Sequence, residues 1–127
     1  MILSGCLIFN KGKILLLRRK DHKHLETPGG KVEEGESLEE CALRELKEEI
    51  GNVKVSDVKY LGCVDFMIPT GKEGKAHKFV MKYVSGDIVL EDKFSSYEWI
   101  EDFERNDLSP DLKLFSEELK ELSKKYK

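Results

Sequence analysis

Short hydrophobic runs separated by polar turns dominate the first part of the chain and predict β-strands. Residues 2–9 form one such run, and residues 13–17 form a second after the tripeptide Asn10-Lys11-Gly12. A polar pair followed by glycine suits a tight turn, so the two runs predict a β-hairpin. Further strands are predicted at residues 53–66 and 78–84, with shorter ones at 88–90 and 97–100.

Two segments show the three- and four-residue spacing of amphipathic helices. The first begins at Ser37, which forms a capping box with Glu40, and ends before Gly51. Its apolar face comprises Leu38, Ala42, Leu46 and Ile50. The second is predicted at residues 110–126, with an apolar face of Leu112, Phe115, Leu119 and Leu122. Strands, a helix, more strands and a final helix predict an α/β (α+β) fold in which a mixed sheet is sandwiched between helices.

Composition adds constraints on size, compartment and partners. A chain of 127 residues is typical of one domain, here 1–127. With 39% hydrophobic residues, it can form a core without disulfide bonds or structural metal ions. The net charge of −3 gives no general attraction to nucleic acid or membranes. Three widely spaced cysteines are predicted to be buried and reduced, and the apolar N-terminus is too short to span a membrane. We therefore expect a soluble, cytoplasmic protein.

Three carboxylates lie on one stripe of the first predicted helix. Glu45, Glu48 and Glu49 are three and four residues apart, which makes them neighbours on a helix surface. Like charges at this spacing disfavour a helix by ~0.2–0.5 kcal/mol per pair. A divalent cation would offset this repulsion, and Mg²⁺ prefers carboxylate oxygens. The alternative is an ordinary acidic face exposed to solvent.

The residues around this stripe favour the metal-binding interpretation. The charged and glycine positions are, in order, Gly30, Glu36, Arg44, Glu45, Glu48, Glu49 and Gly51. Their spacing closely resembles the Nudix box, which is Gly, five residues, Glu, seven residues and Arg-Glu-aliphatic-x-Glu-Glu-x-Gly-aliphatic. The last aliphatic position alone differs, because Asn52 stands there with Val53 after it. The dipeptide Pro28-Gly29 and Trp99 are also similar to the family pattern.

The resemblance implies a Nudix-type fold, a pyrophosphohydrolase activity and a Mg²⁺ cofactor for which Mn²⁺ could substitute. It implies that Glu45, Glu48 and Glu49 hold the metal, together with a backbone carbonyl of Gly29 or Gly30. Arg44 matches the arginine that positions these glutamates, and Glu36 matches the loop glutamate of the box.

The general base and the substrate contacts stay open at this point. Glu48 is the first candidate for the base, and Glu91 or Asp92 is the alternative from a later loop. Arg18 and Arg19 are candidates for binding phosphate, and Trp99 is a candidate for stacking on a base. Pro69 lies near the position of a proline in family members that cleave ADP-ribose.

Several functions share this family pattern. A hydrolase could cleave a nucleoside triphosphate, ADP-ribose or a dinucleoside polyphosphate. A Nudix-fold module could instead bind a nucleotide without cleaving it, although such modules typically lack a box carboxylate. An unrelated acidic interaction domain would leave the spacing from Gly30 to Gly51 unexplained. The protein is expected to act on a small nucleotide as a monomer or homodimer, without stable binding to nucleic acid or membrane.

Overall fold

The computed structural model describes residues 1–21, 24–67 and 71–127. The strands in chain order are β1 (Ile2–Asn10), β2 (Lys13–Arg19), β3 (Leu25–Glu26), β4 (Gly29–Lys31), β5 (Lys54–Met67), β6 (Glu73–Ser85) and β7 (Phe94–Ile100). The helices are α1 (Leu38–Ile50), which lies between β4 and β5, followed at the C-terminus by α2 (Pro110–Leu114) and α3 (Ser116–Lys125).

The seven strands form one mixed sheet. Its main order is β3-β2-β1-β6-β5, while β4 pairs with β1 and β7 pairs with β2. β1 and β6 are parallel, with Ile2 opposite Lys75 and Phe9 opposite Lys82, and the remaining strand pairs are antiparallel. β1 changes partner along its length: Leu3 to Gly5 face β4, whereas Phe9 and Asn10 face β2. β4 therefore lies beside the first half of β1, and β2 pairs with the end of β1.

Two hydrophobic cores lie on opposite faces of the sheet. Successive residues of a strand point to opposite faces, so Leu7 and Phe9 join one core while Cys6 and Ile8 join the other. The first core includes residues of α2 and α3, and the second includes the apolar face of α1. The predicted arrangement of a mixed sheet between helices is therefore confirmed.

Three predictions about local structure were wrong. Residues 88–90 form no strand, because the Val89 and Glu91 amides donate to the carbonyls of Ile50 and Glu49 at the end of α1. Those carbonyls have no partner within the helix, so they attract the passing chain. Cys6 and Cys41 are buried as expected, but Cys63 on the outermost long strand, β5, is exposed.

The predicted C-terminal helix is interrupted at Phe115. Its amide donates to the carbonyl of Leu112, three residues earlier, and its φ and ψ are −100° and 11°. This tighter turn ends α2 and lets the chain restart as α3 with Phe115 still in the core. No helix in the described part of the chain is both long and apolar enough to cross a membrane.

The capping box of α1 gives a test of the helix start. Ser37 Oγ accepts from the Glu40 amide at 3.1 Å, and Glu40 Oε1 accepts from the Ser37 amide at 2.9 Å. Ser37→Ala should lower the free energy of unfolding by about 1 kcal/mol, measured by urea denaturation. Ser109 precedes α2 without a side-chain capping bond, so Ser109→Ala should cost less. An equal loss in both variants would contradict the capping assignment.

Candidate active site

Strand β4 and helix α1 come into unusually close contact at Gly30. A Cβ atom built on Gly30 would lie 2.5 and 2.7 Å from the two carboxylate oxygens of Glu45. At Gly29, a Cβ would lie 2.7 Å from both Gly5 Cα and the Ser4 carbonyl oxygen. The backbone of strand β1 leaves no room for a side chain at Gly29, and a side chain at Gly30 would have to displace the Glu45 carboxylate.

Glu49 is the most buried carboxylate of the acidic stripe, with 2% of its surface exposed. Its Oε1 accepts a hydrogen bond from the Gly29 amide at 2.7 Å, and its Oε2 lies 2.9 Å from Lys93 Nζ. Burial raises the pKa of the Glu49 carboxyl to about 7, although Lys93 and the Gly29 amide both favour the ionised form. The backbone of β4 and a lysine therefore hold this carboxylate in place.

Arg44 holds the remaining carboxylates together. Its guanidinium lies 2.6 Å from Glu36, 2.9 Å from Glu45 and 3.3 Å from Glu48. It also donates to the Lys31 carbonyl at 3.1 Å, which ties the end of β4 to the helix. The hydrogen bonds that Arg44 donates to Glu36 lower the pKa of Glu36 to about 2 and raise the pKa of Arg44. The arginine and the loop glutamate thus form a fixed ion pair beside the stripe.

The donor atoms at this junction suit Mg²⁺. The side chains of Glu45 and Glu49 are largely buried against β4, whereas half of the Glu48 side chain is exposed. Carboxylate and carbonyl oxygens are the ligands that Mg²⁺ prefers. Within residues 1–21, 24–67 and 71–127, no three acidic, histidine or cysteine side chains already surround a common point as ligands would. Arg44 and Lys93 instead pair with the carboxylates.

A cavity of about 680 Å³ borders Gly29 and Gly30. Part of its wall is apolar and is formed by Phe66, Met67, Pro110 and Leu114. Its polar part includes Lys78, whose Nζ lies 2.7 Å from both Thr27 Oγ1 and Asp111 Oδ2. The volume and the mixed lining are typical of a site for a small organic ligand.

The sequence analysis missed the Lys78–Asp111 pair. It places Lys78 at the first position of a strand, where a charged residue is ordinary. β6 in fact begins at Glu73, so Lys78 lies within the strand, and Ala76 and Val80 are buried on either side of it. The alternation of Ala76, Lys78 and Val80 could have indicated that Lys78 points inwards. Residues 71–77 are too polar, however, to predict that the strand begins before Lys78.

The two candidate arginines occupy different places. Arg19 lines the cavity and pairs with Asp21 at 2.9 Å. Arg18 points away from it and pairs with Glu98 at 3.3 Å and Asp107 at 3.0 Å. The pairing of β2 with β7 shifts register between Arg18 and Arg19, and the two side chains enter different surroundings. Of the two arginines, Arg19 is therefore the one that borders the cavity, and phosphate binding by Arg18 stays a prediction without support from this placement.

Trp99 also lies away from the cavity. Its ring packs edge-to-face on Tyr83 with centroids 5.6 Å apart, and it contacts the core beneath α1. It does not line the cavity that borders Gly29 and Gly30. The ring packs on the α1 core, so this placement lends no support to the prediction that Trp99 stacks on a base.

Glu91 and Asp92 lie in the segment that returns past the end of α1. The Glu91 amide donates to the Glu49 carbonyl at 3.0 Å, and Lys93 Nζ lies 3.3 Å from the Glu91 carboxylate. Glu91 is therefore linked to Glu49 through one lysine, which sequence analysis had assigned no role. Asp92 is exposed in the same turn. Pro69 lies outside the described residues.

Comparison with known proteins agrees with this geometry. A family model for the NUDIX domain matches residues 3–121. The chain therefore belongs to the NUDIX domain family. Its fold is similar to that of the MutT protein from Methanosarcina mazei Go1, with a TM-score of 0.81, 32% identity and coverage of 98% of this chain and 95% of that one.

Two curated relatives show how far the similarity extends. The putative 8-oxo-dGTP diphosphatase YtkD of Bacillus subtilis is 55% identical over 86 residues, which are 68% of this chain and 49% of YtkD. The nucleoside triphosphatase NudI of Salmonella arizonae is 31% identical over 119 residues, covering 81% of this chain and 84% of NudI. Other relatives are longer, and the chain spans a quarter of the length of some of them.

The raised pKa of Glu49 predicts how stability depends on pH without metal. The unfolded chain ionises this group near its ordinary pKa of 4.5, whereas the folded protein retains the proton up to about 7. The contribution of Glu49 to stability therefore falls as pH rises through this window. Relative to Glu49→Gln, the parent should lose free energy of unfolding between about pH 5 and about pH 8, measured by urea denaturation with a chelator. A constant difference would contradict the shift.

Proposed function

We propose that this protein is a Mg²⁺-dependent Nudix hydrolase that cleaves a pyrophosphate bond in a nucleoside triphosphate. Mn²⁺ should substitute for Mg²⁺. The observation that carries the proposal is the contact between the α1 carboxylates and the Gly29–Gly30 backbone at the edge of a ligand-sized cavity. The names of YtkD and NudI favour a nucleoside triphosphate.

Glu45, Glu49 and a carbonyl of Gly29 or Gly30 would hold the metal, with Glu48 as a further ligand or the general base. A bound metal ion neutralises phosphate oxygens and lowers the pKa of water. Arg44 fixes the positions of Glu45 and Glu48 through its hydrogen bonds to both. Glu48 is the carboxylate of the stripe that is most open to solvent, so it is the best placed to accept a proton from water.

Glu91 is the alternative base, since its carboxylate is connected to Glu49 through Lys93. Asp92 shares the turn but lies one residue further along it. The cavity would hold the nucleoside, with the apolar wall against the base. Arg19 would contact phosphate, which the negatively charged protein cannot attract through its net charge.

A nucleotide-binding module without activity is the competing function. All box carboxylates are present in this chain, and three of them, Glu36, Glu45 and Glu48, are gathered by Arg44. Phosphate release should be measured with Mg²⁺ over nucleoside triphosphates, ADP-ribose and dinucleoside polyphosphates. Turnover of a nucleoside triphosphate above the others supports the proposal. Binding without turnover in the whole panel would favour the module.

Loss of charge at Glu48 should impair catalysis. Glu48→Gln keeps the size of the side chain, and we expect kcat to fall by about 10²-fold or more, as for other key electrostatic groups. The matched control is Glu39→Gln, which removes an exposed carboxylate from the first turn of the same helix. If Glu48→Gln retained the parental kcat, the site would be misassigned.

The two neighbouring arginines should differ in effect. Arg19→Ala should raise KM for the best substrate because Arg19 lines the cavity, with little change in the thermal unfolding temperature. Arg18→Ala should leave KM near the parental value, because its side chain pairs with Glu98 and Asp107 instead. Steady-state kinetics of both variants provides the measurement. The reverse pattern would show that Arg18 is the phosphate contact.

A further inference from the structure

Lys93 places one positive charge between two carboxylates at the end of α1. Its Nζ lies 2.9 Å from Glu49 Oε2 and 3.3 Å from Glu91 Oε1. The backbone on either side is fixed, because the Lys93 carbonyl accepts from the Lys20 amide and the Glu91 amide donates to the Glu49 carbonyl. The lysine therefore enters the acidic junction from a segment anchored at both ends.

The carboxylate that it reaches needs a positive partner. The Glu49 side chain is 3% exposed and, among the residues that the structure describes, accepts one other hydrogen bond, from the Gly29 amide. An ionised carboxylate at this depth is costly unless it is paired. Glu45 lies close enough to add repulsion. In the protein without a cation, Lys93 is thus the charge that balances Glu49.

The lysine itself is not locked in the interior. Its side chain is 38% exposed, and the Glu91 side chain is 41% exposed. A lysine stem is flexible, and its ammonium is well solvated when it moves outwards. The Lys93 ammonium can consequently move away from Glu49 into solvent, whereas the Glu49 carboxylate stays buried on α1.

We propose that Lys93 is a positioning residue for Glu49. In the metal-free protein its ammonium supplies the positive charge next to this carboxylate, and it competes with the metal ion for the same carboxylate. This inference rests on the proposed function. The ammonium and the Gly29 amide together hold the Glu49 carboxylate towards β4, so the site is preformed. Entry of a divalent cation next to Glu49 displaces Lys93 towards Glu91 and solvent, because two positive centres on one carboxylate repel each other.

A purely structural ion pair predicts something different. If Lys93 remains on Glu49 when the cation binds, removing the lysine destabilises the metal-free and metal-bound protein alike. The dissociation constant of the cation is then unchanged. Competition instead predicts that removal destabilises the metal-free protein and tightens binding of the cation, because the two effects are linked through the same carboxylate.

The test is Lys93→Met, which keeps the length of the stem and removes its charge. Free Mn²⁺ is titrated into parent and variant at about pH 8 without nucleotide and followed by electron paramagnetic resonance. We expect the dissociation constant of Mn²⁺ to fall by roughly two- to fivefold, the range of a partly exposed ion pair. The melting temperature with chelator should fall by several degrees.

The matched control is Lys120→Met on α3. Lys120 also lies between two carboxylates, Glu104 and Glu117, and its side chain is likewise 38% exposed. Its removal should leave Mn²⁺ binding unchanged.

Should Lys93→Met fold poorly, the double variant Lys93→Met/Glu49→Gln should recover the metal-free melting temperature, because the neutral amide needs no ammonium and still accepts a hydrogen bond from the Gly29 amide.

The outcomes separate the two proposals. Unchanged or weaker Mn²⁺ binding in Lys93→Met, with saturable binding in the parent that Glu45→Gln weakens, would overturn the role of Lys93 and leave the metal site standing. Absence of saturable binding in the parent would overturn both. An equally low melting temperature in the double variant would also count against the pairing of Lys93 with Glu49.

Discussion

The approach of helix α1 to strand β4 is the constraint on which the rest of this site depends. Gly30 has no side chain, and the Glu45 carboxylate fills the space that a Cβ would take. One turn further along α1, the Glu49 carboxylate accepts a hydrogen bond from the Gly29 amide, which links the helix to the strand a second time. The strand is held from behind by β1, where Gly29 in turn leaves room for Gly5. Backbone groups and carboxylates therefore meet closely here, because Gly29 packs directly on the backbone of β1 and Gly30 leaves space for the Glu45 carboxylate.

Several carboxylates lie close together at this junction and repel one another. Two basic side chains, Arg44 and Lys93, offset this repulsion. Arg44 binds Glu36, Glu45 and Glu48 from the outer side of the helix. Lys93 reaches Glu49 from the segment that follows β6. The arginine forms several directed hydrogen bonds, whereas the lysine contributes a single mobile charge. The first suits a permanent support, and the second suits a partner that a metal ion can replace.

The hairpin and the first helix could be predicted because their signals are local. The turn glycine, the capping box and the four-residue apolar spacing act within a few positions of one another. The strand predicted at 88–90 failed because its amides bond to carbonyls of α1, which are distant in sequence. The single C-terminal helix failed because the core holds Phe115 through a tighter turn, which periodicity does not record. The exposure of Cys63 depended on β5 lying at the edge of the sheet.

The sequence by itself determined the family, the fold class and the acidic stripe, since each is written in residue types at fixed spacing. Glu45, Glu48 and Glu49 had to share a helix face, because a helix repeats every 3.6 residues. Tertiary structure decided which side chains face the cavity: Arg19 rather than Arg18, and the Lys78–Asp111 pair rather than Trp99. It also brought Lys93 to Glu49. These contacts join residues far apart in the chain, and their geometry follows from strand pairing and packing that no local pattern specifies.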